Sequence, residues 1–327
     1  MAGGKDTLLE VNGLSQRFGS RAVLFDVNLR VYEGQIMALV GPSGCGKSTL
    51  LNAIVGTLRP SEGRILIHDR NGRGERATSL VSRPAKDRGI VYQRYSLFPF
   101  LTARQNVAYG LMLSQTNLCY RVFLYPLWRR LQKEHQRQAG EILAKFDLSK
   151  AMDLYPSQMS GGMCQRVAIA QTLIMKPKIL LLDEPFGALD EATREEMQLM
   201  MRGLEADNRL AIRAGTRPPY TVIIVTHEIN EGLFVSDRIV GLSQYWDWKA
   251  DGFAECPGAT IVYDQPSPIY ELKQARDFEV FKGQKQQVID YVFEDKILQP
   301  RWAWVQASER PAENPQSRQM AERSARG

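Results

Sequence analysis

The string Gly41-Pro42-Ser43-Gly44-Cys45-Gly46-Lys47-Ser48 constrains this chain more than any other feature. Residues 35–40 before it read as a short apolar strand, and 47–56 after it have helical character. Glycines let backbone N–H groups turn toward a common point, and the helix N-terminus adds partial positive charge there. Such a cradle suits phosphate oxygens. Lys47 reaches the outer phosphates as a point charge, and the Ser48 hydroxyl can ligate Mg²⁺. Gly41, Ser43, Gly44, Cys45, Gly46, Lys47, Ser48 and Thr49 are therefore the candidate phosphate-loop residues. Average composition yields such a string by chance in roughly one chain in a hundred of this length.

The rest of the chain supplies a matching scaffold. Residues 7–11, 22–31, 64–68 and 89–93 read as strands, and the polar stretch 69–77 as a surface loop. From 102 to 154 the pattern is mostly helical; 160–175 and 192–212 are helical, and 179–182 and 221–226 are buried strands. Strands alternating with helices predict an α/β fold with a doubly wound, mainly parallel sheet.

Composition removes several other classes. In 327 residues with 44% hydrophobic content, wholesale disorder is excluded. The longest apolar run, residues 36–40, is far short of the roughly twenty residues that span a bilayer, and the N-terminus has no secretory signal pattern. Cys45, Cys119, Cys164 and Cys256 lie far apart and there are three histidines, which argues against a zinc site or disulfide scaffold. A soluble protein of the cytoplasm is the expectation. The net charge of +6 leaves nucleic acid, acidic lipid and a polyanionic small ligand all open.

A second motif narrows the chemistry. Residues 179–182 are apolar and end in Asp183 and Glu184, at the strand end where open parallel sheets bind ligands. Asp183 suits Mg²⁺, through water, and Glu184 suits accepting a proton from an attacking water. The plainer reading is a pair of acids capping the next helix.

Between these motifs, Met159-Ser160-Gly161-Gly162-Met163-Cys164-Gln165-Arg166 opens a helix. Here the chain resembles the ATP-binding-cassette ATPases, whose signature is L-S-G-G-Q, over roughly residues 7 to 240. Further matches fall in family order: Phe18 where an aromatic ring stacks on adenine, Gln93 of the Q-loop, Ala188-Leu189-Asp190 of the D-loop, Glu184 as catalytic glutamate and His227 as switch histidine. The resemblance implies a P-loop NTPase core with an N-terminal antiparallel β region and a helical subdomain inserted at about 94–158. It implies ATP and Mg²⁺ as cofactors, with Ser48, Gln93 and Asp183 at the metal. Glu184, His227, Gln93 and Lys47 carry the catalytic roles. Ser160, Gly161 and Gly162 would close on the nucleotide held by a second copy of the cassette.

Met163 replaces the signature glutamine, and Cys164 takes a position that is commonly basic. With Gln165-Arg166 following, this looks like the branch serving nitrate, sulfonate and taurine importers. Tyr95-Ser96-Leu97-Phe98-Pro99-Phe100-Leu101-Thr102 is also similar to importer subunits. The implied partners are transmembrane permease subunits and, indirectly, a solute-binding protein. The implied location is the cytoplasmic face of the cell membrane, with no nucleic acid partner. A soluble non-transport cassette ATPase is the alternative.

Other stretches stand outside the motifs. Residues 114–137 mix aromatics with bases and are expected to be either a solvated helical arm or a contact to permease or acidic headgroups. Residues 241–306 read as a C-terminal extension, strand-like at 259–263 and helical at 269–281, and 307–327 as a disordered tail. Tyr245-Trp246-Asp247-Trp248 reads as local packing. In the dimer that the resemblance implies, Cys45 and Cys164 would face each other across the nucleotide and react with alkylating agents unless ATP protects them; the alternative, favoured for Cys164, is that they fill space as small side chains.

Overall fold

Residues 36–40 are apolar at every position because both faces of their strand are covered, and all five are buried. The computed structural model describes residues 6–70, 76–94, 96–116, 123–187, 189–267, 275–294 and 298. In chain order the strands are β1 Thr7–Phe18, β2 Arg21–Tyr32, β3 Ile36–Val40, β4 Glu62–Arg70, β5 Arg76–Leu80, β6 Arg88–Val91, β7 Ile179–Asp183, β8 Val222–Thr226, β9 Arg238–Ser243 and β10 Thr260–Pro266. The helices are α1 Lys47–Val55, α2 Ala103–Gln115, α3 Tyr125–Lys145, α4 Gly161–Leu173, α5 Glu191–Arg213, α6 Ile229–Val235 and α7 Ala275–Val288. A π turn, Ile289–Phe293, follows α7.

One sheet has the order β10-β9-β3-β8-β7-β6 and is parallel except for β10, which pairs antiparallel with β9. The other, β2-β1-β4-β5, is antiparallel. The α/β expectation with an N-terminal antiparallel region therefore holds. Alternation along β3 divides the core. Met37 and Leu39 join Leu50 and Ile54 of α1 and Leu9 and Val27 of the antiparallel sheet. Ile36 faces the α2–α5 side with Leu180, Leu182 and Ile224. Ala38 and Val40 pack with Ile239, Trp246, Val288 and Val292.

One expectation needs correction, and one strand was not anticipated. The polar stretch 69–77 is not simply a loop: β4 runs to Arg70 and β5 starts at Arg76, with Asp69 opposite Ala77. A strand at a sheet edge can leave its side chains in water while its backbone pairs, so polarity does not preclude it. Residues 71–75 lie outside the described residues. β9 also escaped notice, because Arg238 breaks its apolar pattern. The Arg238 guanidinium is neutralised by Asp264 of β10, Nε to Oδ1 at 2.6 Å and Nη2 to Oδ2 at 2.5 Å. Residue 240, the expected limit of the cassette, falls inside β9, and the sheet continues through β10. Trp246 is fully buried, its Nε1 donating to Gly258 O at 3.0 Å, as local packing requires. The segment 307–327 lies outside the described residues.

Candidate active site

The phosphate loop links β3 to α1. Gly46, the α1 N-cap, has φ of 108°, and no side chain caps the helix, so its first N–H groups face the loop. A Cβ on Gly46 would lie 2.7 Å from Leu24 Cδ2 of β2, so the antiparallel sheet walls the loop tightly. Lys47 is buried, and its Nζ donates to Gly41 O at 2.7 Å and Pro42 O at 2.8 Å. The ammonium thus lies over the cradle. Ser43, Gly44 and Ser48 are exposed and Thr49 half-buried. Cys45 departs from expectation: its thiol packs into the core, 2% exposed, and donates to Leu242 O at 3.3 Å. Burial pushes that thiol above its usual pKa, only partly offset by the nearby Lys47 charge.

Ser48 Oγ donates to Asp183 Oδ1 at 3.3 Å, joining the loop to the end of β7. Burial raises the Asp183 carboxyl pKa; the Ser48 bond opposes this and the neighbouring Glu184 charge adds to it. Glu184 turns the chain with φ of 48°, a conformation that side chains adopt at a cost. Its carboxylate gathers two other candidates. Oε2 accepts from Gln93 Nε2 at 2.9 Å, and Oε1 lies 3.3 Å from His227 Nδ1.

His227 follows β8 and is positioned by residues the sequence did not single out. Thr226 Oγ1 donates to Glu231 Oε2 at 2.9 Å and accepts from the Glu228 N–H at 3.0 Å. Arg194 Nε lies 3.4 Å from Glu231 Oε1. An acid on the buried side of the helix after β8 was the available signal; Glu231 is 6% exposed.

Other candidates sit apart from this cluster. Phe18 ends β1 beside the Gly19 turn and is 51% exposed, leaving a ring face open. Ser160 caps α4, its Oγ accepting from Met163 N at 3.2 Å. Gly161 is exposed, and a Cβ on Gly162 would strike Thr193 Cγ2 at 1.7 Å. Thr193 is in turn held by Asp190, whose oxygens accept from its N–H at 3.0 Å and its hydroxyl at 2.8 Å. Among the described residues, no hydrogen bond or ion pair joins Ser160, Gly161 or Gly162 to residues 41–49 or Glu184. Cys164 is buried, with its Sγ 3.6 Å from Pro156 O. Ala188 and Tyr95 lie outside the described residues.

The oxygen donors Ser48 and Asp183 would suit a hard divalent cation. Among the described residues no group of three or more His, Cys, Asp or Glu could hold a metal by itself.

Comparison with known proteins identifies the family. Residues 24–187 match the family described as ABC transporter. The chain is 34% identical to nitrate transport protein NasD of Klebsiella oxytoca, over 88% of this chain and 97% of that protein. It is 39% identical to the sulfate/thiosulfate import ATP-binding protein CysA of a Synechocystis strain, over 71% of this chain and 57% of that protein. The chain thus spans little more than half of that relative's length. A dimeric ATP-binding cassette in a post-hydrolysis state with ADP and Pi superposes with a TM-score of 0.56 at 26% identity, covering 79% of this chain and 98% of that one. The α/β architecture, the phosphate loop joined to the Asp183–Glu184 strand, and these likenesses together place the chain in the ABC transporter family.

Proposed function

We propose that this chain is the ATP-binding and ATP-hydrolysing subunit of a membrane importer for a small solute. The observation that carries the reading is the Glu184 carboxylate, held between Gln93 and His227 at the strand end beside the phosphate loop. Glu184 accepts the proton of the attacking water, which His227 and Gln93 orient. Lys47 and the loop amides stabilise the charge that develops on the terminal phosphate. Ser48, Asp183 and Gln93 would hold Mg²⁺, which would supply positive charge against the phosphates. Phe18 offers its exposed ring to the adenine.

The exposed α4 N-terminus supports a second role. Ser160, Gly161 and Gly162 complete the site of another copy, so the working form is a nucleotide-sandwich dimer. Among the described residues no helix is long and apolar enough to cross a membrane. In this reading permease subunits do the spanning, a solute-binding protein delivers the substrate, and the cassette sits peripherally on the cytoplasmic face. The likeness to a nitrate transport protein over nearly its whole length favours a small oxyanion as cargo. The cassette takes the chain to about residue 240, where its strand β9 runs on to Ser243, with the helical subdomain at about 94–158.

Glu184→Gln tests the reading. It preserves the shape of the side chain and removes its basicity, so phosphate release should fall about 10²–10⁴-fold while ATP binding persists. Unchanged turnover would overturn it.

A further inference from the structure

The two ends of α3 are built differently. Its buried residues are His135, Ala139 and Leu143, one face of the C-terminal part, with His135 Nε2 3.0 Å from Gln115 Oε1 of α2. None of residues 123–130 is buried. Phe123 is 81% exposed, and Leu124, Tyr125 and Leu127 are 42–51% exposed. Trp128 rests against Tyr125, ring centroids 5.5 Å apart, and its Nε1 is shielded from solvent without a hydrogen-bond partner. So dense a run of large apolar side chains in water marks an interaction surface.

Cations follow directly. Arg129, Arg130 and Lys133 are exposed, and among the described residues no carboxylate pairs with them. The nearest acid on the helix, Glu134, is engaged by Arg137 through two hydrogen bonds of 2.8 and 2.6 Å. Arg104, Arg129, Gln132, Lys133, Gln136 and Arg137 line an open depression of about 490 Å³ between α2 and α3. Arg104 is paired with Asp153 at 3.1 Å, yet no acid contributes to the lining itself.

We propose that this end of α3 docks on an anionic phospholipid bilayer. Phe123, Leu124, Tyr125 and Leu127 enter the interfacial region, where aromatic rings with a polar edge are favoured. Arg129, Arg130 and Lys133 meet headgroup phosphates, and the depression receives one of them. The pattern fits a uniformly negative surface: exposed apolar side chains are followed immediately along the helix by exposed cations. The contact goes beyond ATP hydrolysis, giving the subunit a hold on the membrane independent of any permease.

Flotation of the full chain with phosphatidylcholine vesicles, with and without phosphatidylglycerol, tests this. Binding is expected only to the anionic vesicles and should weaken as salt rises. Arg129→Glu combined with Arg130→Glu and Lys133→Glu should lower it about tenfold or more. Phe123→Ser with Leu127→Ser should lower it at low salt as well. ATP hydrolysis, measured on the same preparations without vesicles, should stay at the parent level, which separates this proposal from the assignment of the ATPase site. Arg129→Gln with Lys133→Gln gives a milder variant should the reversals unfold the arm. A chain that stays in solution with both vesicles, that binds neutral ones equally, or whose folded variants bind as the parent does would overturn the proposal.

Discussion

The Leu242 carbonyl oxygen lies 2.1 Å from the point a Cβ on Gly41 would occupy, and the same oxygen accepts the Cys45 thiol proton at 3.3 Å. β9 is thus the backstop of the phosphate loop. Gly41→Ala would push backbone against backbone, which side-chain repacking cannot relieve. A loss of about 1–3 kcal/mol in stability is expected, together with weaker nucleotide binding. Urea unfolding and fluorescent-nucleotide titration check both.

Behind that backstop, Gly241 faces the C-terminal segment. A Cβ there would lie 2.3 Å from Val292 Cγ2 and 2.9 Å from Tyr263 Cβ. Gly241→Ala should cost about 1–3 kcal/mol, and Val292→Ala should restore part of that loss, giving a coupling of roughly 0.5 kcal/mol or more in a double-mutant cycle. Strict additivity would mean that the π turn does not pack here.

The thiol beside the loop should be slow to react. With Cys45 2% exposed and its thiolate disfavoured by burial, alkylation in native buffer should be far slower than in urea, with or without ATP. Mass spectrometry of the peptide bearing Cys45 reads this directly. Rapid native labelling that ATP suppresses would restore the expectation drawn from the sequence.

Thr226 should matter to turnover without touching nucleotide. Thr226→Val removes the donor to Glu231 and the acceptor for the Glu228 N–H, freeing the segment that carries His227. About 1–3 kcal/mol of stability should be lost. The kcat for ATP should fall while KM changes little, measured by phosphate release at varied ATP.

His135 predicts a pH dependence in the helical subdomain. Burial between α2 and α3 lowers its pKa below the usual 6.5, opposed by the charge of Glu134. The unfolded chain therefore binds the proton more readily. The stability from the neutral ring is fully present above the unfolded pKa and is lost as pH falls toward and through the folded one. Urea midpoints should drop between pH 7 and pH 5, and His135→Gln should flatten that part of the profile.

Much of the site could be read directly from residue order. Gly41–Ser48, Asp183 and Glu184 each sit at a strand end, and strand ends follow from local hydrophobic runs. Gln93 and His227 were identified only through their places in the family pattern. What went unread involves partners distant in sequence: Arg238 with Asp264, β5 with β4, and Glu231 with Arg194 and Thr226. A buried charge looks like a surface charge until its counter-ion is known, and an edge strand needs no apolar face.

The sequence by itself determined the class of fold and the chemistry at the strand ends, because glycine conformation, apolar periodicity and carboxylate placement act within a few residues. Only the tertiary structure decided that the Cys45 thiol turns into the core, that β9 and β10 complete the sheet beyond residue 240, and that one carboxylate of Glu184 holds Gln93 and His227 together. Those outcomes depend on packing between elements brought together from all along the chain, and no local pattern records which faces will meet.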